Sequence, residues 1–226
     1  MATESDLYRL LVWSSPSYPI GAFSYSHGLE WAVEEGSVRN VDSLVDYIGA
    51  VITRGGGWVD AVLFAHAWRN AHDDAKLDAI SELASAFRAS SETALEARQQ
   101  GNAFLLVTRR AWPHALLDGF AQRQGDAPVV QAVVMALSCA AHGIALQPAL
   151  SAFLHATVAN LVSAGVRLVP LGQTDGQIAL ARLAAQIERV TALAQQLEID
   201  DLGTAAPLLE FCSLRHETQY TRLFRS

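Results

Sequence analysis

The chain has 226 residues, enough for one domain with a self-sufficient core and short for two. Its formal net charge of −7 argues against a nucleic-acid binder, which needs a basic face to neutralise phosphates. The two cysteines, Cys139 and Cys212, lie far apart and outside any C-x-x-C or Cys/His cluster. That excludes a disulfide scaffold and a zinc finger and reads as two buried thiols in a reducing compartment. Met1 to Asp6 carries Glu4 and Asp6 but no Lys or Arg ahead of the apolar run, so a cytoplasmic protein without a signal peptide is expected. Further on, Leu44, Val45, Ile48, Val51 and Ile52 form one helix face, with Asp42 placed to cap its first turn. Gly55, Gly56 and Gly57 break that pattern. The run Val59, Val62, Leu63, Ala67 leads to a turn at 70–74, after which Leu77, Ile80, Leu83, Ala84 and Phe87 make another amphipathic face. A longer helix through Leu95 and Phe104 to Leu106 should end before Pro113. Pro128 suits the first turn of the next helix and Pro148 the start of its partner, because a proline's missing N–H would be unpaired there anyway. Residues 168–176 read as a connector, and Ile178, Ala181, Ala185, Val190, Leu193 and Leu197 mark a final long helix.

Between Asp126 and Arg167 there is no Asp, Glu, Lys or Arg. Gln131, Ser138, His142, Gln147, Ser151, His155 and Asn160 recur through this stretch, and no basic flank or aromatic belt marks an end. The pattern predicts two helices packed nearly all round, at the centre of a bundle or partly as a subunit interface, rather than a membrane span. No period-two alternation is long enough for a sheet, and no Pro/Ser-rich linker divides the chain, so a single all-α domain over residues 1–226 is expected.

Enzymatic signatures fail one by one. Lys76 is the sole lysine, and the glycine triplet at Gly55 runs into Trp58, which leaves no phosphate-binding loop. Ser26 has Ser24, not glycine, two residues before it, so the nucleophile elbow of a serine hydrolase is missing. His66 and His72 do not share a helical face, no H-E-x-x-H occurs, and His142 and His155 read as buried, hydrogen-bonded histidines. His27, Glu30 and Glu34 are open to two readings, a weak divalent-cation site on one side of a helix or a solvated helix start. Adjacent carboxylates such as Asp73 and Asp74 point apart on a helix. The residues alone indicate a helical protein that acts by binding.

Two segments depart from the bundle pattern. Leu10 to Glu30 reads LLVWSSPSYPIGAFSYSHGLE; Pro16 and Pro19 restrict its backbone, and Gly21 and Gly28 permit turns or close approach. Ser24 or Ser26 is placed to cap the helix carrying Leu29, Trp31, Ala32 and Val33 until Gly36. The segment serves as a rigid connector or as a shaped surface for a partner. The tail CSLRHETQYTRLFRS sets Arg215, Arg222 and Arg225 against Glu217, a local net charge of +2, with Tyr220, Leu223 and Phe224 interleaved. Aromatics with arginine are the composition of interface hot spots, whereas a frayed terminus would not need Leu223 and Phe224.

The run SSPSYPIGAFSYSHGLEWAVEEG closely resembles the N-terminal signature of the urease accessory protein UreF family, and SLRHETQYTRLFRS resembles its C-terminal signature. The helices between them and the total length also match. The resemblance implies an all-α, non-enzymatic assembly factor for nickel-dependent urease. It would be a cytoplasmic homodimer that binds the accessory protein UreD (also called UreH) and through it recruits the GTPase UreG for nickel delivery to apo-urease. It implies no cofactor in this chain, since nickel and GTP are handled by partner proteins. It also implies that the N-terminal helix and a flexible tail, Pro207 to Ser226, become ordered against UreD. Carried over by position, Pro16, Pro19, Gly21, Phe23, Ser24, Ser26, Gly28 and Glu30 would shape or contact the partner surface, with Arg215, His216, Glu217, Tyr220, Arg222 and Phe224 in the tail. Arg222 is expected to anchor the tail by hydrogen bonds to backbone carbonyls. Two other readings follow: a tail arginine, Arg222 or Arg225, activates GTP hydrolysis directly, or His27 and Glu30 carry nickel.

Overall fold

The computed structural model describes residues 3–226. It is all-α: helices α1 (Glu4–Trp13), α2 (Leu29–Glu34), α3 (Val41–Arg54), α4 (Gly56–Arg69), α5 (Asp74–Ala86), α6 (Ser91–Ala111), α7 (Ala115–Gln124), α8 (Gln131–Ala141), α9 (Leu146–Leu168), α10 (Gln173–Ala194) and α11 (Pro207–His216) follow one another. Short 3-10 turns lie at Ala22–Ser24 and Ile199–Asp201. No strand is present among the described residues.

The centre is built by α4 and α8, which pack on each other. Val62, Leu63, Phe64 and Ala65 of α4 and Val133 to Leu137 of α8 are fully buried, and runs of consecutive apolar residues like these cover every side of a helix where it is enclosed. The charge-free stretch therefore does supply the core. All of its inward surface on α9, Leu150, Leu154, Val158 and Leu161, is buried too, while His155 and Ser163 face outward. The stretches Val41–Arg69 and Leu146–Leu168 are long and apolar enough to cross a membrane by length and composition, and in this fold 67% of the first apolar window and 50% of the second are buried inside the bundle. Around the centre, α3 packs on α4 and α10, α10 on α9, α6 on α8, and α11 on α2. Cys139 and Cys212 are both buried, which raises the Cys139 thiol far above its ordinary range and pushes that of Cys212 up to about 11.

Several boundaries differ from the sequence expectation, each for a local reason. Asn40, not Asp42, caps α3: its side chain accepts from the Ser43 N–H at 2.9 Å and the Ser43 hydroxyl accepts in return from the Asn40 N–H. Asp42 instead pairs with Arg182 of α10 at 2.6 Å. Only Gly55 lies outside helix, while Gly56 and Gly57 open α4. The helix after Pro128 starts at Gln131, since Val130 is extended and both it and Val129 are buried beside α6. Helix α9 begins two residues ahead of Pro148, which sits in its first turn, where a proline is tolerated. The connector expected over 168–176 shortens to 169–172, because the Asp175 carboxylate accepts from the Gly172 N–H and starts α10 early. The last long helix ends at Ala194 rather than Leu197.

Gly101 is where the loop before α8 crosses α6. A Cβ there would overlap the Val129 carbonyl oxygen and stand 2.7 Å from its carbon, both backbone atoms that cannot swing aside. Gly101→Ala is expected to destabilise the fold by about 1–3 kcal/mol, read as a lower thermal midpoint. Gly119→Ala, with only the Arg123 side chain nearby, should leave the midpoint equal or slightly higher.

Candidate partner interface

The N-terminal segment is a shaped turn held by the bundle. Trp13 at the end of α1 is buried edge-on against Phe104 and Trp112, and the Tyr18 hydroxyl bonds that of Thr108 on α6 at 2.8 Å. Gly21, in the left-handed region at φ 75°, turns the chain into Ala22–Ser24. His27 at φ 54° and Gly28 at φ 74° then reverse it into α2, with the Tyr47 hydroxyl donating to the His27 carbonyl. A Cβ on Gly28 would lie 2.6 Å from the Ser213 nitrogen of α11, so glycine is needed both for its φ and for the approach of that helix.

What brings α11 and the tail to this turn is a cluster of buried polar groups. Glu30, 5% exposed, accepts from the Leu223 N–H at 2.7 Å through Oε1 and from the Phe224 N–H at 2.9 Å through Oε2. His216 is fully buried between two carboxylates, Nε2 at 3.0 Å from Glu30 and Nδ1 at 2.6 Å from Glu92 of α6. Arg222 closes the cluster with Nη1 2.6 Å from Glu92. One helical turn further along α6, Glu96 accepts from the Gln100 amide and the Ser226 hydroxyl and pairs with His27 at 2.9 Å. Burial opposes a charge on His27, but the Glu96 carboxylate outweighs it and raises the imidazole above its ordinary value.

Backbone bonds complete the junction. The Arg225 N–H donates to the Ser24 carbonyl and the Ser26 N–H to the Ser226 carbonyl, each at 2.8 Å, and the Ser26 hydroxyl donates to that same carbonyl. Phe224 is buried beneath the Arg167 guanidinium, which lies 4.5 Å from its ring and 4.0 Å from that of Phe23. Glu217 accepts from the Ser91 N–H and hydroxyl at the start of α6, and those bonds hold its carboxyl below the usual range. Arg215 lies over the Trp31 ring at 4.8 Å.

Of the residues singled out in the sequence, Phe23, Ser24, Ser26, Gly28 and Glu30 thus meet Arg215, His216, Arg222 and Phe224 in one place. Glu217 anchors the same tail to α6. Pro16, Pro19 and Gly21 lie exposed in the connector, and Tyr220 stands fully in solvent. The tail read as flexible is packed here, down to a buried Ser226. Arg222 anchors it through a carboxylate and not through backbone carbonyls, because Glu92 is the acceptor within reach. His27, Glu30 and Glu34 do not share a helical side: His27 precedes α2 and Glu30 points inward. Of the two serines, Ser26 is the one whose hydroxyl reaches an α2 N–H, that of Glu30, at 3.4 Å.

Sequence reasoning missed Glu92, Glu96 and Arg167. Glu92, Glu96 and Gln100 recur every fourth residue on one helix, a buried polar stripe that spacing alone could have flagged. Beside it, a cavity of about 480 Å³ is walled by His27, Glu96, Trp13, Phe153 and the bidentate Asp60–Arg88 pair. Among the described residues no three His, Cys, Asp or Glu side chains converge as a metal site requires.

Two exposed patches are rich in apolar side chains. Phe23, Leu208, Phe211, Leu214 and Leu223 are exposed large hydrophobics, with Arg215, Arg222 and Arg225 among them. A second apolar face, Leu7, Tyr8 and Leu11 of α1, borders a groove against Val107, Ala111 and Trp112.

The family model for UreF matches residues 38–184, about two-thirds of the chain. A protein of Granulibacter bethesdensis named urease accessory protein UreF is 49% identical over 225 residues, covering 99% of this chain and 95% of that one. Proteins of the same name from Rhodopseudomonas palustris (47%, covering 99% and 93%) and Bradyrhizobium diazoefficiens (46%, covering 97% and 91%) match along the same length. The chain belongs to the UreF family. In this UreF-family chain, the similarity to full-length relatives extends beyond the stretch matched by the family model and covers both segments of the junction.

The junction predicts how it fails. Glu30→Ala leaves the Leu223 and Phe224 N–H groups and Nε2 of His216 without their carboxylate, which should weaken tail docking by about 3–5 kcal/mol. The expected readout is rapid tryptic cleavage after Arg215 and Arg222 with the helical circular dichroism retained.

Proposed function

We propose that this chain is a non-catalytic scaffold of urease maturation. In this reading it is a cytoplasmic homodimer that binds UreD (UreH) and through that complex recruits UreG for GTP-dependent nickel insertion into apo-urease. It uses no cofactor of its own. Membership of the UreF family supports the urease context. The observation that carries the scaffold role is the outward face of α11 and the tail, where exposed apolar and aromatic side chains alternate with arginines on a rigidly braced support. Such a face supplies buried area and planar hydrogen bonding to a protein partner. The outward side of α9, with Ala152, His155, Ala156 and Ser163, is the part of the charge-free stretch left to form a two-fold contact, α8 being buried from Ala132 to Cys139.

Arg222 is committed to Glu92, which suits a brace better than a catalytic finger. Single-turnover GTP hydrolysis by UreG separates the two roles: a scaffold leaves the chemical step unchanged, whereas a finger accelerates it.

Size-exclusion chromatography with light scattering tests the scaffold directly. The protein should elute as a dimer, capture UreD, and then capture UreG with nucleotide. A monomer that ignores UreD overturns the reading. Tyr220 is fully exposed, so Tyr220→Ala should leave the thermal midpoint unchanged while weakening partner capture roughly tenfold or more. Arg222→Ala should abolish UreG recruitment with the bundle still folded, and normal capture by that variant counts against the tail as the docking element.

A further inference from the structure

Every charged side chain on the wall of the cavity beside the junction is met within the chain. Arg88, between α5 and α6, grips Asp60 of α4 with both terminal nitrogens at 2.7 and 3.2 Å and gives its Nε–H to the Ala84 carbonyl. Glu96 takes the Gln100 amide, the Ser226 hydroxyl and His27. Glu210 accepts from the Thr204 hydroxyl at 3.0 Å. An ionic ligand would have to break one of these bonds to find a counter-charge.

What that wall leaves unmet is two amide carbonyls. Gln100 is 7% exposed, and because a carboxylate only accepts, its amide nitrogen must be the atom turned to Glu96, at 2.8 Å. Its Oε1 is thereby directed away from Glu96 and receives no donor among the described residues. On α9, Asn160 spends Nδ2 on the Tyr25 carbonyl at 3.4 Å, and its Oδ1 is likewise without a donor. Both side chains line the cavity, whose volume of about 480 Å³ lies in the range of sites for small organic ligands. Much of the remaining wall is apolar, with Ile20, Phe87 and Phe153, while Ala97 of α6 and Ala156 of α9 leave space that larger side chains would fill. Exposed Pro16, Ala89 and Thr204 also border it, so it communicates with solvent.

We propose that this cavity is a binding site for an uncharged small molecule with an apolar, ring-sized body and an N–H or O–H group that donates to Gln100 Oε1 or Asn160 Oδ1. A purely apolar guest would leave both carbonyls unmet, and an ion would find no free counter-charge. The site goes beyond the scaffold reading, since nothing in it depends on which protein the tail meets.

The probe is N-phenyl-1-naphthylamine, an uncharged diaryl amine with one N–H whose fluorescence rises in apolar surroundings. It should saturate the full chain at one per chain with a Kd of about 10 μM or tighter, and raise the thermal midpoint. The ether of the same shape, 1-phenoxynaphthalene, lacks the N–H and should compete about tenfold more weakly. Gln100 stays in place in this comparison because it also serves Glu96. Ala97→Phe and Ala156→Phe fill the cavity from two different helices, and each, with its helical circular dichroism retained, should weaken the probe by about tenfold or more. Neither substitution alters the exposed apolar patches of α1 and α11, so a probe that binds both variants unchanged sits on the surface and overturns the proposal. Equal affinity for amine and ether overturns it too, as does the absence of saturable binding, which leaves the cavity to water. Should neither variant fold, the comparison of amine with ether decides.

Discussion

A carboxylate taken out of water is tolerable only when donors meet its oxygens, and Glu30 finds its donors 186 to 194 residues away. Helix α2 carries Glu30 inward at its first turn, and the groups that satisfy it are the His216 ring and two consecutive tail amides. Neither end of the chain can adopt this arrangement by itself. Without the tail, Glu30 would be buried and unpaired; without Glu30, the amides of Leu223 and Phe224 would lose their acceptor. The N-terminal turn and the tail therefore order as a unit, after the bundle that positions them, because contacts this distant in sequence reward the chain only once the loop is closed.

Helix α6 is the beam on which this unit rests. Its first turns hold Glu92 and Glu96 near the positive end of the helix dipole, and Glu217 adds a third carboxylate at the exposed N–H groups. The two α6 carboxylates favour the docking of the basic tail, Glu217 of the tail caps the helix start in turn, and the same helix packs against α8 in the centre of the bundle. The route from core to surface is short: α8 fixes α6, the α6 carboxylates fix His216 and Arg222, and these set the face that Tyr220 and Leu223 present to solvent.

Helix content and the core were legible because burial writes itself into periodicity. The charge-free stretch from 127 to 166 read as packed, and α8 is buried from Ala132 to Cys139. Boundaries were less legible because they turn on single hydrogen bonds. Asn40 outcompeted Asp42 as a cap by its reciprocal bond with Ser43, and Asp175 started α10 before the apolar pattern resumed. The signature residues were recognised, but not their use. Glu30 and His216 read as partner contacts since nothing local says that two residues so far apart in sequence face each other. The hidden clue was the stripe of Glu92, Glu96 and Gln100, three polar residues on a helix face that burial should have made apolar.

This division changes how the two signatures should be understood. Ser26, Gly28, Glu30, His216 and Phe224 are buried and hold the surface in shape, whereas Phe23, Arg215, Tyr220 and Leu223 are open to solvent. A substitution in the first group removes a buried partner, so any loss of binding reflects a surface that no longer exists. A substitution in the second removes area from a surface that remains. Because Gly28 must admit the α11 backbone and Glu30 must meet the tail amides, one short turn near the N-terminus governs how the distant C-terminus is displayed. The surface that the tail displays is thereby conditioned on the folding of the segment at the other end of the chain.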